Sequence, residues 1–230
     1  MPLGLRDESS EWFLDWVLRR PRESSTHVTA GFAAYEALRS IYPDEKPFAS
    51  ATEYFGGLGC QSLMIQEIYG PARHTVVELH PLAARHLKGV LRDRPGANVI
   101  HGDAFEVNEP AELVGLDFGN LTILQAQGAL RPLLSQVFAS KPKAVVLTDI
   151  AGQRLHLQRS RYERLLGHDC STYVAYLRGL ALYLERTYDY RPLACFHHRW
   201  SAVLAMVPAS SGVEPLFDLP PERPCGITFK

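Results

Sequence analysis

The chain has 230 residues, 46 % of them hydrophobic and 21 % charged, with a formal net charge of −1. This composition suits one sizeable core and excludes a disordered chain. A charge so near zero gives no global drive toward nucleic acid, although a local basic face stays open.

The first fifty residues read as helical. Ser9 or Ser10 caps an expected helix in which Trp12, Phe13, Trp16 and Val17 recur at helical spacing, and Pro21 breaks it. A second helix is expected from about 26 to 41, with Val28, Phe32, Tyr35 and Leu38 inward. From Ala51 short apolar runs alternate with helical stretches. Strands are expected over 52–55, 74–79, 98–101, 113–118 and 144–149, and helices over 60–69, 82–92 and 134–138. That alternation predicts an α/β fold, a doubly wound and mostly parallel sheet with helices on both faces. Helices are then expected over 159–166 and 172–187, the second with Tyr173, Tyr176, Leu180 and Tyr183 inward. The runs 193–197 and 201–207 are joined by only a few residues, which permits an antiparallel pair and excludes a helical crossover. Seven strands are thus expected. Residues 1–50 form a helical cover, 51–208 the main domain and 209–230 an irregular, proline-rich tail.

Cys60, Cys170, Cys195 and Cys225 stand apart without a CxxC pair, which suggests neither zinc nor a disulfide framework. No run approaches the ~18 apolar residues of a membrane span. The first residues carry acids and no signal-peptide core. The expectation is a reduced, cytoplasmic protein with no metal and no membrane partner.

The most informative stretch is Glu53-Tyr54-Phe55-Gly56-Gly57-Leu58-Gly59, followed by Val76-Val77-Glu78 and His101-Gly102-Asp103-Ala104. A glycine turn after a strand lets backbone approach a ligand closely, and an acid ending the next strand accepts from a ribose diol. The ordered series points to an adenosine-bearing cofactor, foremost S-adenosylmethionine.

On these motifs, residues 51–207 resemble the class I S-adenosylmethionine-dependent methyltransferases. In that family an acid precedes three glycines at alternate positions. Glu53, Gly57 and Gly59 match the acid and the last two glycines, while Phe55 stands at the first, with Gly56 beside it. A phenylalanine there either points into the core or narrows the methionine end of the pocket. The resemblance implies that Glu78 binds the ribose hydroxyls, that Asp103 accepts from the adenine amino group, and that the Ala104 amide meets the ring. Asp103 equally suits a helix cap. Asp117 and Asn120 close the fourth strand, where the family places groups that contact the acceptor or take its proton; turn formation accounts for Gly119-Asn120 equally well.

The Pro-Pro-aromatic signature of DNA amino methylases and the Pro-Cys nucleophile of cytosine-carbon enzymes are both absent at this point. The order Leu116-Asp117-Phe118-Gly119, then Leu147-Thr148-Asp149, is loosely similar to tRNA guanine-N2 methyltransferases, although their Asp-Pro is missing. Arg154, Arg159 and Arg161 follow the fifth strand and suit either a phosphate contact or a solvated helix face. The acceptor is therefore open, RNA or DNA standing slightly ahead of a small molecule. Two other functions compete: an inactive protein that keeps the fold, and a NAD-dependent oxidoreductase.

Overall fold

The computed structural model describes residues 31–117, 130–151, 155–198, 201–212 and 216–217. The expected first helix, Val28, Asn120, Arg154 and the hairpin turn at Arg199-Trp200 lie outside these residues.

Among the described residues eight strands form one sheet: β1 (Ser50–Tyr54), β2 (Arg73–Glu78), β3 (Ala97–His101), β4 (Leu113–Asp117), β5 (Ala144–Ala151), β6 (Tyr190–His198), β7 (Ser201–Pro208) and β8 (Leu216–Phe217). Their order is β3-β2-β1-β4-β5-β7-β6-β8. The first five are parallel, and β7 is antiparallel to both β5 and β6. This is the mostly parallel seven-stranded sheet with its closing hairpin. The two-residue β8 joins β6 from a stretch whose sequence shows no periodicity.

The helices are α1 (31–39), α2 (Cys60–Ile68), α3 (Pro81–Val90), α4 (Leu130–Ala139), α5 (Leu155–Leu166) and α6 (Tyr173–Tyr188). Strand alternation sends neighbouring side chains to opposite faces. Tyr54, Val77, Val114, Leu116, Val145 and Leu147 pack toward α4, α5 and α6, in one cluster with Leu134, Tyr162 and Tyr176. Ala51, Leu113 and Val146 lie on the other face with Tyr35 and Leu38 of α1 and Ile65 of α2. On that same face Val76 and Val99 meet Ala84 and Leu87 of α3. Tyr173, Tyr176, Leu180 and Tyr183 are buried, as their spacing predicts.

Phe32 corrects one expectation. It is 46 % exposed, whereas Ala34, Tyr35 and Leu38 are buried. The buried stripe of α1 is centred on those three residues, and Phe32 stands to one side of it.

Candidate functional site

The chain order of the parallel strands reverses between β1 and β4, and ligands of open α/β sheets sit at such a switch point, beyond the carboxyl ends of the strands. The glycine turn leaves β1 there. The amides of Phe55 and Gly56 donate to the Val77 carbonyl at 2.9 and 3.3 Å, which ties the turn to β2. Phe55 has φ 64°, a left-handed conformation unusual for a bulky residue, so it holds the kind of torsion that glycine favours. Its ring packs against the core shared with α4, α5 and α6. Gly57 and Gly59 also have positive φ, and Gly59 leads directly into α2, which has no side-chain cap. Gly56 is constrained in another way: a Cβ there would stand 2.3 Å from Val76 Cγ1.

Three acids sit on one face of the sheet, at the ends of adjacent strands. Alternation places Glu53, Glu78 and Asp117 on the side of α1, α2 and α3. Glu78 Oε2 accepts from the Gly57 amide at 2.8 Å, and its Oε1 accepts from the His80 amide at 2.7 Å. The acid at the end of β2 therefore fixes the glycine turn while both oxygens keep a further lone pair.

Glu53 is placed differently from a ligand-contacting acid. It is only 1 % exposed and lies beneath the turn, where its carboxyl accepts from Ser62 Oγ and faces His74 Nε2 at 3.8 Å. Burial, with the charges of Asp117 and Glu78 added, pushes its pKa up to about 8 against the opposing Ser62 hydrogen bond. Burial lowers His74 to about 4. Both groups are therefore neutral near pH 7, and their contact is not an ion pair. His74 Nδ1 instead meets Gln66 Nε2 at 3.0 Å.

These shifts predict a pH dependence of stability. From 4.5 to 8 folded Glu53 keeps a proton that the unfolded chain has lost, so stability falls as pH rises. From 4 to 6.5 the unfolded chain keeps the His74 proton that the folded form lacks, so stability rises. The two offset each other up to 6.5, and above it the Glu53 decline stands alone. Urea midpoints of the wild type should fall from pH 6.5 to 8, and Glu53→Gln should flatten that decline. Equal slopes in the two proteins would mean that Glu53 is not the titrating group.

At the end of β3, Asp103 Oδ1 accepts from the Phe105 amide at 3.0 Å, an Asx turn that presents the following residues. Ala104 is buried, and its amide has no acceptor among the described residues. The Gly102 amide donates to the Glu78 carbonyl at 3.1 Å and so links this turn to the end of β2. The arginine run is not gathered into one group. Arg159 is held by Glu163 at 2.7 Å and Asp169 at 3.2 Å, and Arg161 is exposed on the same helix. Among the described residues no cluster of three metal-ligating side chains occurs, and no helix is long and apolar enough to cross a membrane.

One feature of the site has only a faint trace in the sequence. Gly115 lies beside Glu53 in the register of β1 and β4, and the space above it is taken by the Gln61 amide and the Tyr35 hydroxyl. A lone glycine inside a strand signals such a close approach. Nothing in the spacing singles out Gln61.

No protein-family model matches the sequence, nor does any curated protein. Solved structures do match in shape. Magnesium protoporphyrin IX methyltransferase from Synechocystis, solved with bound S-adenosylhomocysteine, aligns with a TM-score of 0.54 over 80 % of this chain and 84 % of its own, at 11 % identity. The chain has the class I methyltransferase fold. The methyltransferase domain of a bacterial Hen1 protein aligns with a TM-score of 0.51 over 76 % of this chain and 95 % of its own, also at 11 % identity. Identities this low establish the class I fold and nothing finer.

Proposed function

We propose that the protein is an S-adenosylmethionine-dependent methyltransferase. The observation that carries this reading is the Glu78 carboxylate seated on the amide of the glycine turn, with Asp117 on the same face at the end of β4. S-adenosylmethionine carries positive charge on its sulfur and its amino group, which such acids attract. NAD would bring an anionic pyrophosphate to the same place, and carboxylates repel it. Phe55 supports an active site over an inactive scaffold, because its left-handed φ keeps the turn that glycine would otherwise supply.

In this reading Glu78 accepts from the ribose hydroxyls with the lone pairs left free by Gly57 and His80. Asp103 accepts from the adenine amino group, and the Ala104 amide donates to the ring. Gly57 and Gly59 let the backbone approach, while Glu53 positions the turn from below. The cofactor supplies an electrophilic methyl carbon, so catalysis is chiefly alignment. Asp117, the last residue of β4, takes the proton that a nitrogen or oxygen acceptor loses as its lone pair receives the methyl group. Asn120 holds the acceptor amine through its side-chain carbonyl. A nucleic-acid base is the first acceptor to assay, since Arg159, Arg161 and Arg164 are exposed on α5.

Calorimetric titration with S-adenosylhomocysteine, beside NAD as control, tests the reading. Micromolar, selective binding of the first is expected. Preference for NAD would replace the reading with an oxidoreductase, and binding of neither would leave an inactive scaffold.

A further inference from the structure

A groove of about 270 Å³ lies on the face of the sheet opposite the three acids, between α6 and the pair β6–β7. Its walls are apolar: Leu177, Ala181 and Leu182 from α6, Cys195 from β6 and Leu204 from β7. Leu182 is 37 % exposed. Arg178 and Glu185 flank these walls with opposite charges, two turns of α6 and so about 10 Å apart. Neither forms an ion pair among the described residues. Asp189 alone links α6 to β6 and folds the strand back along the helix. Arg178 is therefore level with Cys195, and Glu185 with Pro192.

The chain itself arrives beside this groove. β8 lies on the outer side of β6 and parallel to it, with Phe217 opposite Cys195. Residues 218–230 follow and lie outside the described residues. Extended, they reach about 40 Å, several times the span from Arg178 to Glu185. They begin Asp218-Leu219-Pro220-Pro221-Glu222-Arg223-Pro224, an apolar stretch and then an acid and a base. We propose that the groove is the docking site of this C-terminal segment, with Leu219 and its neighbouring prolines on the apolar walls, Glu222 toward Arg178 and Arg223 toward Glu185. The order fits the direction of the chain, because Phe217 is level with the Arg178 end of the groove. The long arginine side chains cover the remaining distance. Prolines hold such a segment near the polyproline II conformation, so seating it costs little entropy, and apolar grooves are common seats for it. The docked segment clamps the two-residue β8, too short to hold by itself, onto the edge of the sheet. None of this depends on the methyltransferase reading.

Cleavage of the full chain after Glu222 by a glutamate-specific protease tests the docking, because the protease cuts the undocked form. Leu182→Glu puts a charge on the groove wall at an exposed position. It should speed that cut about 10-fold, while Glu67 in α2 and Glu163 in α5 stay protected. Glu185→Arg should speed it about 3-fold, and adding Arg223→Glu should return it to the wild-type rate. Equal rates in the wild type and both single variants overturn the docking. So does a Leu182→Glu protein that passes from dimer to monomer at an unchanged rate, since the groove then joins two copies of the chain. Protection of the wild type that falls on dilution overturns it as well, placing the segment in the groove of a second copy. If Leu182→Glu opens Glu67 and Glu163 too, that variant has unfolded, and the charge reversal at Glu185 and Arg223 decides alone.

Discussion

Glu78→Ala is expected to lower the urea midpoint and abolish tight binding of S-adenosylhomocysteine together. The Glu78 carboxylate satisfies two backbone amides, those of Gly57 and His80, and is only 9 % exposed. Leaving both amides without an acceptor costs about 3 kcal/mol, on the scale of one to three per unsatisfied buried group. With a urea dependence of about 2 kcal/mol per molar, the midpoint moves down by roughly 1.5 M. Loss of a charge-assisted fork to the ribose adds a drop in affinity of about 30-fold. Glu78→Gln keeps one acceptor oxygen and should recover part of the stability and little of the affinity. An unchanged midpoint in Glu78→Ala would show that the turn holds itself without the acid. Unchanged affinity would remove Glu78 from the ribose.

Gly56→Ala should be the most damaging single methyl group in the site. The added Cβ would stand 2.3 Å from Val76 Cγ1 and 2.9 Å from Leu87 Cδ1, and both of those side chains are fully buried. Neither neighbour is a flexible chain end in open space, so β2, α3 or the turn must shift. Overpacking of this kind costs about 1–3 kcal/mol. The check is a double-mutant cycle with Val76→Ala, which removes the opposing methyl. If the clash is the cause, the double variant should be more stable than the two single losses predict, by on the order of 1 kcal/mol. Strict additivity would place the damage elsewhere.

Much of the fold was legible because its signals are local. β2 was expected over 74–79 and runs Arg73–Glu78; α2 was expected over 60–69 and runs Cys60–Ile68. Apolar runs bounded by turn residues carry that information without reference to the rest of the chain. The glycine turn was legible for a similar reason, since positive φ at Gly57 and Gly59 is a property of residue type. What escaped depends on partners distant in sequence. Glu53 is drawn under the turn by Ser62, from the next helix, and faces His74, from the next strand; no local rule predicts a buried acid there. Phe55 shows the opposite limit. Its residue type argues against the left-handed torsion that its place in the turn imposes, and a reading by identity sees only a missing glycine. Phe32 was misplaced because a three-residue spacing alone does not say on which side of α1 the stripe is centred.

The sheet order also has a bearing on how the chain folds as it is made. β7 is inserted between β5 and β6 although it follows both in sequence. Until Ser201–Pro208 has emerged from the ribosome, β5 ends the parallel half as an open edge, with Val145, Val146 and Leu147 still lacking their antiparallel neighbours. The parallel half can collapse during synthesis, but β6 has no strand to pair with until the segment after it arrives. Such late, non-local pairing slows folding and leaves an adhesive edge exposed meanwhile. Truncation just before Ser201 should therefore aggregate, because it removes a central strand and not a peripheral one.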